Sequence, residues 1–173
     1  MENVAFLRNV NQGQRGQPRT SDLVAAFAAA GAGEIHPFQG NGTVLFDAAA
    51  PDQVVDDVRL RLESAVGFAT VVFARTLLFV EQIVEASADA AGLRRRELTL
   101  FDAEATIADE TAAAVQATKR RCAIVEHGAG WAVFENQVDR QSNGTPALEA
   151  MLGTPATSRG LSTLVRLIDR FGR

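Results

Sequence analysis

An α+β fold made of two ferredoxin-like halves is predicted for this chain, and three observations predict it. The order strand, helix, strand, strand, helix, strand can be read twice along the 173 residues. Each half is then roughly 85 residues, about half of the 173 in the chain. Hydrophobic residues make up 47% and charged residues 22% of the chain, the balance of a folded globular protein rather than a disordered one.

The elements of the first half follow from local chemistry. Val4 to Val10 opens with β-branched and aromatic residues and predicts a first strand. Asn9 to Arg19 is rich in glycine and amides and predicts a polar loop. Thr20 or Ser21 is expected to cap the next helix, with Asp22 in its first turn. Leu23, Ala26, Phe27 and Ala30 recur at helical spacing, and Gly31 or Gly33 stops the helix. Ile35–Phe38 and Thr43–Phe46 flank the turn Gln39–Gly42 and predict a hairpin. Pro51 suits a first helical turn, and Val54, Val58, Leu62 and Ala65 line one face as far as Gly67. Thr70 to Phe73 predicts a buried strand, and Leu77 to Ala86 a further helix.

The second half repeats the order without repeating the residues. Glu97–Phe101 is a predicted strand. Thr106 to Asp109 has the capping-box form before a helix running through Ala117. Cys122–Glu126 and Trp131–Phe134 predict a hairpin around His127–Gly130. Val138–Thr145 predicts a loop, Pro146–Leu152 a short helix and Thr154–Ala156 a short strand. Leu161, Leu164, Val165 and Ile168 keep helical spacing and predict the last helix. The expected division is residues 1–86, a connection at 87–96 carrying Arg94, Arg95 and Arg96, and residues 97–173.

Composition excludes several classes. One cysteine and two histidines leave no disulfide framework, no Cys-based zinc cluster and no His-rich metal site. The net charge of −4 argues against broad binding to duplex nucleic acid or anionic membrane. The apolar stretch from Phe68 to Val84 is interrupted by Arg75, Glu81 and Gln82, so no membrane span is predicted. No signal peptide is visible, and the expectation is a cytoplasmic protein.

Three segments together resemble a family, domain of unknown function 1697, whose members are uncharacterised bacterial proteins. The segments are Phe6-Leu7-Arg8-Asn9-Val10-Asn11-Gln12-Gly13, Asn41-Gly42-Thr43-Val44-Leu45-Phe46 and Thr157-Ser158-Arg159-Gly160-Leu161-Ser162-Thr163-Leu164. The resemblance covers essentially the whole chain and implies two ferredoxin-like subdomains. It implies no reaction. Asn9 stands where the family has glycine, Gln12-Gly13 replaces paired glycines, and Gly160-Leu161-Ser162 replaces Asn-Trp-Asn.

Two places are candidate anion sites. The first loop carries Arg8, Arg15 and Arg19, with Asn11 and the backbone amides around Gly13 and Gly16, and leads into a helix N-terminus. Thr157, Ser158 and Arg159 precede the last helix, where Thr157 or Ser158 is expected to cap it. Neither nucleotide fingerprint, Gly-x-Gly-x-x-Gly or Gly-Lys-Ser/Thr, occurs. His36, His127 and Cys122 lie in no recognisable triad, and the strand phenylalanines are expected to be core.

The function read from the sequence is a binding or regulatory module for a small anionic ligand or a protein partner, with no cofactor and no metal. The alternative is an enzyme of unknown reaction using a cleft between the two halves. Exposed sheet faces in such units often pair, so a homodimer fits the sequence without being fixed by it.

Overall fold

Asn3 to Leu7 are buried at every position, and this first strand, β1, is hydrogen-bonded on both sides. That placement organises the first of two compact units, Met1–Phe79 and Val80–Arg173, into which the chain divides. The computed structural model describes residues 2–89 and 92–172. The part of the expected connection at 90–91 lies outside the described residues.

Unit one runs β1 (Asn3–Leu7), α1 (Thr20–Ala29), β2 (Gly33–Phe38), β3 (Thr43–Asp47), α2 (Pro51–Val66) and β4 (Val72–Thr76). The antiparallel sheet has the order β2-β3-β1-β4, the ferredoxin-like arrangement. Alternate residues of the sheet, Ala5, Leu7, Val44, Phe46 and Ala74, pack with Leu23, Phe27, Val58 and Leu62 of the two helices. The rings of Phe27 and Phe46 lie 5.2 Å apart at 57°, a tilted aromatic contact at the centre of this core.

Unit two begins within α3 (Leu77–Ser87) and repeats the plan. Its elements are β5 (Arg96–Leu100), α4 (Glu110–Lys119), β6 (Cys122–Gly128), β7 (Trp131–Asn136), α5 (Gly144–Leu152), β8 (Thr157–Gly160) and α6 (Leu161–Phe171). Its antiparallel sheet has the order β6-β7-β5-β8, which matches unit one strand for strand. Phe101, Ile107, Ala113, Ala117, Phe134 and Leu148 form its core against α4 and α5.

Four local expectations are corrected. The fourth strand is Val72–Thr76 rather than 70–73, and it is partly exposed because it sits at the sheet edge and pairs with β1 alone. Helix α1 starts after Arg19, not at a Thr20 or Ser21 cap. The Asp22 carboxylate accepts the Arg19 backbone N–H at 2.7 Å and holds that turn. Asp109 is the cap of α4, not the last residue of a box begun by Thr106. Its Oδ1 accepts the Ala112 backbone N–H at 2.9 Å. Residues 157–160, expected as a helix cap, form strand β8, and α6 begins after Gly160 with no side-chain cap.

Candidate functional site

The first loop is held by its own chain. The Arg8 N–H donates to Val71 O at 2.9 Å, and the Gln12 N–H to Gly40 O at 2.9 Å. The Asn11 N–H donates to Gln17 Oε1 at 2.9 Å. This seats the loop on the β2–β3 turn, so the first two family-like segments meet in unit one. Gly42 makes that seat feasible: its φ is +73°, and a Cβ there would come within 2.7 Å of Val10 Cβ. Arg15 is exposed, and Arg19 is exposed with Nε 3.6 Å from the Asp22 carboxylate. The Asn11, Gln12, Gln14 and Gln17 amides are thus engaged within unit one, and the α1 start already carries a carboxylate.

Thr157, Ser158 and Arg159 belong to unit two, and the loop residues belong to unit one. Ser158 Oγ lies 2.8 Å from Thr99 Oγ1 and 2.7 Å from Thr145 Oγ1, joining β8 to β5 and α5. Arg159 is buried, 9% exposed, and its guanidinium donates to Thr157 Oγ1 at 3.1 Å and Ser158 O at 2.8 Å. Burial lowers its pKa to about 10, because the surroundings disfavour the charge. These three residues act on one another and on the sheet.

A different set of arginines shares a cavity in unit two. The cavity holds about 580 Å³ and is lined by Arg94, Arg96, Arg140 and Arg166, with Glu97, Ser142, Ser162 and Thr163 among the other walls. Arg94, Arg140 and Arg166 are exposed. Arg166 folds over the first turn of its own helix, donating to Ser162 O at 3.2 Å and Thr163 Oγ1 at 3.3 Å. Among the described residues Arg94, Arg140 and Arg166 have no acidic partner within 4.0 Å, whereas Arg96 pairs with Asp89 at 2.6 Å and Glu135 at 3.0 Å. The first turn of α6, which also borders the cavity, holds no acidic residue. The charges of Arg94, Arg140 and Arg166 are thus in no ion pair among the described residues, unlike that of Arg19.

Glu97 also lines this cavity and is 2% exposed. Its Oε1 accepts from the Gly144 N–H at 2.7 Å and Asn136 Nδ2 at 2.9 Å, and its Oε2 from Ser142 Oγ at 2.5 Å. Asn136 also donates to Gln141 O at 2.9 Å and accepts the Asn143 N–H at 3.1 Å. The segment read from sequence as a polar loop is thus tied to β5 and β7, and this fixes Ser142 and the neighbouring Arg140 at the rim. Gly144 is required by the close approach, since a Cβ would meet Thr99 Oγ1 and Phe134. Sequence reasoning missed the whole group because its members come from three separate segments, around Arg94 to Glu97, Arg140 to Ser142 and Gly160 to Arg166. The usable signal was Glu97 itself, a charged residue at an inward position of a predicted strand.

Other candidates stay structural. Cys122 is buried, its thiol pKa is pushed up to about 11 by burial and by the Glu97 charge, and its sulfur donates to Ala117 O at 3.5 Å. His127 lies in β6, with Nε2 3.4 Å from Glu110 Oε1. Among the described residues no group of three or more His, Cys, Asp or Glu could hold a metal ion. No helix of the described residues is long and apolar enough to cross a membrane.

A family model described as "Protein of unknown function (DUF1697)" matches residues 1–130. The match includes Arg94, Arg96 and Glu97 and ends before Arg140 and Arg166. No curated protein matches the chain. Among solved structures, the conserved bacterial protein SP0830 from Streptococcus pneumoniae is similar, at 15% identity and a TM-score of 0.56. That likeness covers 99% of this chain and 96% of the other and concerns the fold alone.

Proposed function

We propose, from the premise that this chain belongs to the DUF1697 family of proteins of unknown function, that it is a binding module for a small anionic ligand held in the arginine-walled cavity of its second unit. One observation carries this reading. Arg94, Arg140 and Arg166 border one cavity of about 580 Å³, and among the described residues none of the three has an acidic partner within 4.0 Å. Guanidinium groups offer paired donors to carboxylate and phosphate oxygens, and such charge-assisted bonds are stronger than neutral ones. The walls also offer the hydroxyls of Ser142, Ser162 and Thr163. The single carboxylate, Glu97, is satisfied by three donors and held in place by them.

The test is calorimetric titration of the full chain with inorganic pyrophosphate, with Arg140→Gln and Arg166→Gln beside the wild type. Losing one charged contact costs about 1.5–3 kcal/mol, or roughly tenfold and more in affinity. Arg15→Gln and Arg19→Gln in the first loop serve as controls and are expected to bind as the wild type does. Unchanged binding in both cavity variants, or loss in the loop variants alone, would move the site back to the first loop.

A further inference from the structure

We infer that the ligand of this cavity is a compact polyanion carrying two or more phosphoryl groups and no aromatic or long apolar body. The inference rests on the anion-binding reading above and adds the class of ligand. Three features support it. The cavity, at about 580 Å³, is far larger than one tetrahedral oxyanion needs. Its positive charge is spread over side chains from three separate places in the chain, Arg94 before β5, Arg140 after β7 and Arg166 on α6. Two linked phosphoryl groups offer more oxygens, spread over a longer span, to divide among the three than a single phosphate does.

The third feature is the composition of the walls. Apart from Gly160, every lining residue carries a charged or polar side chain, and none is aliphatic or aromatic. Pockets for nucleotides and acyl carriers ordinarily place apolar or aromatic groups against the base or chain. Here a purine would meet guanidinium groups, hydroxyls and the Gln141 amide, with no ring to stack on. The groove between α1 and α2 shows the contrast within the same chain: beside Asp22, Asp57, Arg61 and Ser64 it offers the apolar side chains of Leu60, Leu62 and Val66. Glu97 is not available to a ligand: it is 2% exposed and its oxygens accept from Gly144, Asn136 and Ser142, so the arginines and hydroxyls are the groups left to bind one.

The experiment compares five probes on the full chain by calorimetry: inorganic phosphate, pyrophosphate, a hexose bisphosphate, adenosine diphosphate and adenosine. Pyrophosphate and the hexose bisphosphate are expected to bind about tenfold or more tighter than phosphate, since one further charged contact is gained. Adenosine diphosphate is expected to match pyrophosphate within about threefold, and adenosine not to bind. Arg166→Gln is expected to bring pyrophosphate affinity close to that of phosphate. Phosphate binding as tightly as pyrophosphate would overturn the inference and leave the anion site standing. Adenosine diphosphate binding tenfold or more tighter than pyrophosphate would do the same. Binding of none of the five would overturn the anion site itself.

Discussion

At the scale of single residues, Glu97 and Cys122 carry the clearest consequences. Glu97 is an acceptor surrounded by donors, so Glu97→Gln sets an amide N–H against one of them. A buried donor left without a partner costs about 1–3 kcal/mol. Urea unfolding should show that loss. A midpoint unchanged from wild type would mean the three hydrogen bonds contribute nothing net. Cys122 makes a prediction about pH. Its thiol pKa is 9.0 in an exposed chain and about 11 in the fold. Between these values the unfolded chain gives up a proton that the native chain keeps. Stability contributed by this group is therefore full below about pH 9 and is lost as pH rises towards about 11. The stability difference between wild type and Cys122→Ala should shrink as pH is raised from about 8 to about 10.5. A constant difference would show that the thiol does not titrate in this way.

At the scale of elements, the helix starts separate what the sequence made legible from what it did not. The hydrophobic spacing of Leu23, Ala26 and Phe27, and of Val54, Val58 and Leu62, is readable because helical period is a local property, and these residues are buried, whereas Ala65, expected on the same face, is exposed and Val55 is buried in its place. Gly67 was readable as a stop for the same reason: its φ is +68°, and its N–H donates to Glu63 O at 3.0 Å. The caps were not readable to the residue, since Ser, Thr and Asp cluster there and each can serve. Structure selects Asp109 for α4. Accordingly Asp109→Ala should cost about 1 kcal/mol, while Thr106→Ala should cost only a few tenths. Equal losses in thermal unfolding would restore the cap to Thr106. Strand β8 was misread because Thr157-Ser158-Arg159-Gly160 is as polar as a helix cap. Its strand identity comes from pairing with Glu97–Leu100, some sixty residues earlier in the chain, which no local pattern encodes. The arginine cavity was hidden for the same reason, being assembled from three distant segments by the order β6-β7-β5-β8.

At the scale of the whole molecule, a net charge of −4 coexists with a cavity whose walls carry four arginines and one carboxylate. These facts are compatible because electrostatic fields in saline solution are local. The Debye length is about 8 Å at physiological ionic strength, so acidic residues beyond that distance hardly weaken an exposed guanidinium. The global charge governs long-range encounter with large polyanions, and the cavity governs contact with small ones. The two scales therefore predict opposite outcomes for two kinds of ligand. Duplex DNA should not bind at about 0.15 M salt, whereas pyrophosphate should. The exposure of Arg94, Arg140 and Arg166 adds a dependence that a buried site would lack. Pyrophosphate affinity should fall several-fold between about 0.05 M and about 0.5 M sodium chloride, because screening reaches exposed charges first. Calorimetry across that range reads it directly. An affinity indifferent to salt would mean that these three arginines do not hold the anion, whatever else in the chain does.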